Sequence, residues 1–361
     1  MAGVRATPVG LIQNPATARR PGRQPCVAAS SAQKQASAAR RAKNRARGEA
    51  RDYPRVRARP IYSGRSYKVT RRCHGRLLLL SPGRDPEKLS NFIGYCLAYA
   101  AKLYGIQVHA SVWMSNHHHT DVTDPEANLV PFKQLLHSLV ARGWNGELRT
   151  GNVSRHDAFW SSDSACDTRR SADDHSLGDL VYTLTNPVKA GLVKWARLWP
   201  GFTTAGWRFG ETRTFKRPEW FFDRKGSMPE EVSLTLVRPP IFPELDDDEL
   251  YEKLMAEVRV REVETRRELR EKGRRFMGPN KLANQHWNRA PRSFVDRFRV
   301  APKHAASSKW LVLAELQRDR DWERRYAAAR KLLHAGKPAV FPAGTYWLQR
   351  FAGVNVAGQP P

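Results

Sequence analysis

Cysteine is scarce in this chain: four residues in 361, Cys26, Cys73, Cys96 and Cys166, with no C-x-x-C pair. That spacing excludes a zinc knuckle and a disulfide framework and fits a reducing, cytosolic compartment. Long apolar runs are also missing. The longest aliphatic stretch, residues 77–80, falls far short of the ~20 residues that a membrane span needs. No charged-then-apolar leader opens the sequence, so a soluble, intracellular protein without membrane partners is expected. There is no Gly-rich phosphate loop and no even alternation of strands and helices, which argues against a doubly wound nucleotide-binding fold. Acidic residues are few beside basic ones: 35 Asp and Glu face 62 Lys and Arg, a formal charge of +27. So large an excess of one sign normally persists because a polyanion neutralises it, and nucleic acid leads the candidates. Ribosomal and membrane-surface proteins share this property, and charge by itself says nothing about catalysis.

Three regions are expected along the chain. Residues 1–60 carry Arg19, Arg20, Arg23, Arg40, Arg41, Lys43, Arg45 and Arg47 among Ala, Ser and Pro, with too little apolar surface to offset chain entropy. They read as a basic arm that meets phosphates without sequence choice, or as a solvated leader. Residues 61–225 have the texture of a folded domain. Short strands are expected at 66–70 and 76–80, and a helix at 86–104 closed by Gly105. The β-branched and aromatic run 106–122 predicts a long strand or hairpin, and apolar spacing predicts a helix over 129–144. A polar loop at 161–175 leads to a helix at 177–186, stopped by Pro187. This mixture predicts an α+β fold with an antiparallel sheet, of ferredoxin-like layout. Residues 226–361 read as a mainly helical accessory region, with helices opened by Asp246-Asp247-Asp248-Glu249 and spanning 310–333.

Two motifs carry chemistry. In Trp113-Met114-Ser115-Asn116-His117-His118-His119-Thr120-Asp121, strand alternation projects His117 and His119 to one face and His118 to the other. Two imidazoles on one face suit a divalent metal, although exposed polar residues, a core hydrogen-bond network or structural zinc explain clustered histidines as well. Asp121, on the same face, offers a further carboxylate to a metal or to solvent. In Tyr182-Thr183-Leu184-Thr185-Asn186-Pro187-Val188-Lys189-Ala190-Gly191-Leu192-Val193, Tyr182 and Asn186 share a helix face, a phenol beside an amide oxygen. A phenolate can attack phosphorus when cations neutralise the phosphate, and the phosphotyrosine stores the bond for rejoining. Arg270, Lys272, Arg274 and Arg275 form a candidate nucleic-acid-binding cluster or a solvated helix face. Trp144, Trp160, Trp207 and Trp220 lie near basic residues and are candidate base-stacking groups, with core packing the ordinary alternative.

Taken together, Ser115-Asn116-His117-His118-His119 and the Tyr182–Val193 motif resemble the REP-associated tyrosine transposases, within the insertion-sequence branch of the HUH endonuclease superfamily. Trp113-Met114, Phe159-Trp160 and Trp199-Pro200-Gly201 are similar as well, and the resemblance spans residues 62–222. It implies His117, His119 and Asn186 as ligands of Mg2+ or Mn2+, Tyr182 as nucleophile, and single-stranded or hairpin DNA as partner. Sequence-specific nicking and strand transfer would be the activity, with a catalytically inactive DNA-binding derivative as the rival reading. One departure stands out: the family usually has an apolar residue between the two histidines, and here it is His118. Whether the chain works as a monomer or a dimer is left open by the sequence.

Overall fold

A computed structural model describes residues 58–148, 158–161, 166–171, 176–291 and 303–358. The expected basic arm lies outside the described residues except at its last positions. β1 (Arg65–Arg72) is followed by α1 (Pro86–Tyr104), the hairpin β2 (Gln107–Met114) and β3 (His117–Asp124), α2 (Leu129–Leu148) and β4 (Cys166–Arg170). The sheet order is β2-β3-β1-β4, every neighbouring pair antiparallel, and β7 (His304–Ala305) adds a fifth strand parallel to β4. The expected α+β class therefore holds, with a sheet that is mixed at one edge.

Local signals explain most of these elements. Asp85 caps α1 by accepting from the Lys88 amide, and Gly105 closes it in the left-handed region at φ 65°. The run 106–122, expected as a long strand or a hairpin, is a hairpin, with Ser115-Asn116 between two strands of eight residues. The strand expected at 76–80 does not form. Gly75 and Arg76 both take positive φ, and the Leu78 and Leu80 amides donate to the Arg289 and Ser115 carbonyls rather than into a ladder. Leu79 and Leu80 are nonetheless fully buried, so the apolar run fills the core as irregular chain. The polar loop expected at 161–175 contains β4, which a Cys-Asp-Thr-Arg-Arg sequence does not announce.

α3 (Gly178–Lys189) runs through Pro187 for two residues more before ending. A proline near a helix C-terminus forfeits one i→i−4 bond without breaking the preceding turns. A β-ribbon follows, β5 (Thr212–Lys216) with β6 (Glu231–Thr235), and then α4 (Asp247–Glu271), which starts at a full capping box between Asp246 and Glu249. Its apolar stripe Leu250, Leu254, Val258 and Leu269 is buried as the spacing predicts. α5 (Pro279–Ala283), α6 (Lys309–His334) and the small unit β8 (Val340–Phe341), α7 (Trp347–Ala352), β9 (Asn355–Val356) complete the described chain. Among the described residues no helix is long and apolar enough to cross a membrane.

Buried apolar side chains form two clusters, a large one and a small one. On one face of the sheet Tyr67, Val69, Trp113 and Val122 pack with α1 and α2 in the main core. On the other, Val112 and Met114 meet Val188, Val193, Ala196, Trp199 and Leu282 in a smaller cluster under α3. α3 thus lies on the face opposite α1 and α2, and the strand alternation decides which side chains it meets.

Candidate active site

The register of β1 against β3 pairs Lys68 with Asp121, Thr70 with His119 and Arg72 with His117. Directly opposed residues share a face, so these six polar side chains form a patch on the α3 side. His117 and His119 lie edge to face with ring centroids 5.0 Å apart. From α3, Tyr182 brings its ring to 5.4 Å from that of His119, and the Asn186 side chain hydrogen-bonds His117. The structure therefore brings together the four residues singled out from the sequence: two from β3, and two on one face of α3, a single helical turn apart.

Each imidazole is held by its inner nitrogen. His117 Nδ1 donates to Asn116 Oδ1 at 2.7 Å, and His119 Nδ1 shares a hydrogen bond with Thr70 Oγ1 at 2.9 Å. Burial, reinforced by the Arg72 charge, pushes the His117 imidazole down to about 4 despite the bond to Asn186. Burial and the neighbouring His117 and Lys68 charges put His119 well below its ordinary value. Both rings are therefore neutral at physiological pH with Nδ1 hydrogen-bonded in each, so Nε2 is the atom that a metal would take, at His117 in exchange for the bond to Asn186. Among the described residues no three His, Cys, Asp or Glu side chains gather as a metal site. A metal here would rest on two imidazoles and the Asn186 amide oxygen, a donor set that fits an open divalent site.

Asp121 does not join that set, nor is it a surface residue. It is buried, 3.9 Å from Lys68 Nζ, and burial pushes its carboxyl up to about 6 against the pull of that ammonium. Lys68 is fixed by Asp179, one turn before Tyr182 on α3, through a 2.8 Å ion pair and a 2.9 Å bond to the carbonyl. From there its ammonium stands 4.7 Å from the Tyr182 ring centroid, and that of Lys189 stands 4.9 Å away. Tyr182 is 39% exposed, the one large exposed aromatic of the patch. The sequence reading missed Lys68. The polar positions 68 and 70 do alternate with Tyr67 and Val69, but Arg71-Arg72 breaks the pattern and alternation gives no pairing register.

Beside His117 opens a cleft of about 860 Å³, where Arg72, Arg76, Lys189, Arg274, Lys281 and Arg289 contribute cations. Of the basic cluster expected around residue 270, Arg274 alone lines this cleft. Arg270, Lys272 and Arg275 are exposed, and Lys272 pairs with Glu268 on its own helix at 3.7 Å. Of the four tryptophans considered as stacking groups, Trp144, Trp160 and Trp207 are buried in the core. Trp220, 38% exposed, packs against Phe92 and Trp144 under the Lys88 ammonium.

His118 points to the other face, stacked on Trp113 with centroids 4.1 Å apart. Its Nε2 meets His137 Nε2 at 2.9 Å and its Nδ1 meets Thr120 Oγ1 at 3.2 Å, while Arg71 meets His137 Nδ1 at 3.1 Å. An arginine only donates, so His137 Nδ1 accepts, its Nε2–H donates to His118, and the His118 proton sits on Nδ1 toward Thr120. The third histidine is thus a fully partnered core group.

No family model and no curated protein matches the chain. A solved structure described as a REP-associated tyrosine transposase bound to a REP hairpin is similar over 41% of this chain and 80% of its own, at 15% identity and a TM-score of 0.32. A likeness at that score is distant, and the chemistry of the site rests on its own residues.

Proposed function

We propose that this chain is a metal-dependent, single-tyrosine DNA strand-cutting and rejoining enzyme of the transposase type, acting on single-stranded or hairpin DNA. The observation that supports it most is the convergence of Tyr182, His119, His117 and Asn186 on one sheet face next to a cationic cleft. The sheet is in keeping with the same reading: a βαββαβ order with strands in the sequence β4-β1-β3-β2 fits the ferredoxin-like layout expected from the mixture of strands and helices, and its antiparallel strands fit the fold that the resemblance implies.

Bound at His117, His119 and Asn186, Mg2+ or Mn2+ would supply Lewis-acid polarisation of a phosphate oxygen. The protein's own groups do the rest. The Tyr182 oxygen attacks phosphorus, a P–O bond to tyrosine forms, and the P–O3′ bond breaks. The proton lost by the phenol is balanced by one gained at the departing 3′ oxygen, leaving a 5′-phosphotyrosine and a free 3′-hydroxyl. Attack by a 3′-hydroxyl reverses these changes and reseals a strand. Lys68 and Lys189, both against the Tyr182 ring, are placed to meet the negative charge of the phosphate that the tyrosine attacks. An unpaired strand is the fitting substrate because a cleft lined by arginine, lysine and amide side chains accepts a backbone with splayed bases.

The test is a denaturing gel of purified protein with labelled hairpin DNA and Mg2+ or Mn2+, beside Tyr182→Phe and His117→Ala. A metal-dependent covalent protein–DNA band lost in both variants is the expected result. Cleavage without an adduct would replace this reading with a water-using nuclease, and binding without cleavage would replace it with a DNA-binding derivative.

A further inference from the structure

The C-terminal unit holds an aromatic pair that the site above does not use. β8 and β9 pair in parallel, and α7 fills the crossover between them. The unit is firmly seated: Phe341 and Thr345 are buried, the Ile61 amide donates to the Gly344 carbonyl, and Trp322 of α6 donates its Nε1–H to the Ala343 carbonyl at 2.7 Å. On this anchored base Trp347 and Phe351, four residues apart, stand 54% and 62% exposed with ring centroids 4.2 Å apart. Neighbouring aromatics of the same unit are packed, so exposure of these two is specific to this face.

The C-terminal stretch of sequence carries charge of one sign. From residue 324 to the end the sequence has six Lys and Arg, namely Arg324, Arg325, Arg330, Lys331, Lys337 and Arg350, and no Asp or Glu. Arg350 lies between the two exposed rings in sequence, with its guanidinium 5.7 Å from the Tyr346 ring centroid.

We infer that the β8-α7-β9 unit is a stacking platform for single-stranded nucleic acid, with Trp347 and Phe351 taking bases and Arg350 a phosphate. A ligand for this face must present flat apolar rings and negative charge at close intervals, and an unpaired nucleic acid strand does both. A second copy of the chain would bring the same run of cations, with no Asp or Glu from residue 324 onward, against this one, which like-charge repulsion opposes. A lipid surface needs a longer apolar face than a six-residue helix interrupted by Gln349 and Arg350 provides. None of these residues lines the cleft beside His117, so the platform is a binding site additional to it and independent of strand cutting.

The experiment uses full-length Tyr182→Phe protein, whose covalent reaction is blocked under the proposed mechanism, and fluorescence anisotropy with labelled oligodeoxythymidine across a salt series. Trp347→Ala with Phe351→Ala should weaken binding at least roughly fivefold per lost stacked base, while Trp347→Phe with Phe351→Tyr keeps most of it. The salt slope should stay unchanged in the alanine variant, because no phosphate contact is lost, and fall by about one in Arg350→Gln. Unchanged thermal unfolding of these surface variants separates the effect from misfolding. Equal affinity of the alanine variant and its parent overturns the inference. So does a loss of self-association by light scattering, or of binding to phosphatidylserine vesicles, with DNA affinity intact. An absent covalent adduct in the gel assay, with this binding result intact, would count against the proposed enzyme and not against the platform.

Discussion

Replacing His118 by leucine tests whether the third histidine is a structural member of the site strand. The ring is fully buried, stacked on Trp113, and the middle link of the chain Arg71, His137, His118, Thr120. Leucine fills a similar volume but accepts nothing, so the His137 Nε2–H is stranded in the core. Leaving a buried donor unsatisfied costs about 1–3 kcal/mol, and losing the ring stack with Trp113 adds roughly 0.5–1.5 kcal/mol. Leucine's own apolar burial offsets part of this, leaving a net cost of about 2 kcal/mol. His137→Leu should cost a similar amount, since it removes the same link and leaves Arg71 short of an acceptor. The double variant has no stranded imidazole, so its cost should be smaller than the sum of the singles by about 1 kcal/mol or more. Urea denaturation of the four proteins, with equal m-values, measures this directly. Strictly additive costs, or a neutral His118→Leu, would refute the hydrogen-bond chain and reduce His118 to an ordinary space-filling residue.

Two further predictions follow from buried charge. Lys68→Met leaves Asp121 in the interior without its cation, and the loss of one partner from a buried pair typically costs about 3–5 kcal/mol; Lys68→Met with Asp121→Asn should recover much of it in the same denaturation assay. His109 is fully enclosed, bonded to the Val237 carbonyl and Thr123, and burial pushes it down to about 4. With an unfolded value near 6.5, the unfolded chain binds the extra proton between these limits, so His109 favours the fold fully above about pH 6.5 and progressively less as pH falls toward 4. Replacing it with Gln should flatten the acid side of a stability-versus-pH curve by about 1.4 kcal/mol per pH unit across that window, and an unchanged slope would show that His109 is not buried in its neutral form.

Legibility followed the range of the interactions. The helix at 86–104 could be read because its cap, apolar spacing and terminal glycine lie within twenty residues of one another, and the charged helix α4 for the same reason. The projection of His117 and His119 to one face, and of Tyr182 and Asn186 to one helix side, needs only the strand and helix periods. β4 escaped notice because its polar sequence is stabilised by pairing with β1 rather than by propensity, and Leu77–Leu80 misled because burial alone does not make a strand.

What the sequence determined by itself was local: which residues alternate, which segments are helical, how much positive charge the chain carries, and that a histidine strand and a tyrosine helix exist. Tertiary structure alone decided that these two meet. The β1–β3 register set Lys68, Thr70 and Arg72 beside the imidazoles, and packing of α3 on that face delivered Tyr182. Register and packing also set Asp121 beside Lys68 and gave His118, already on the other face, His137 as its partner. The physical reason is that partners far apart in sequence are chosen by which apolar faces bury together, and no local period encodes that choice.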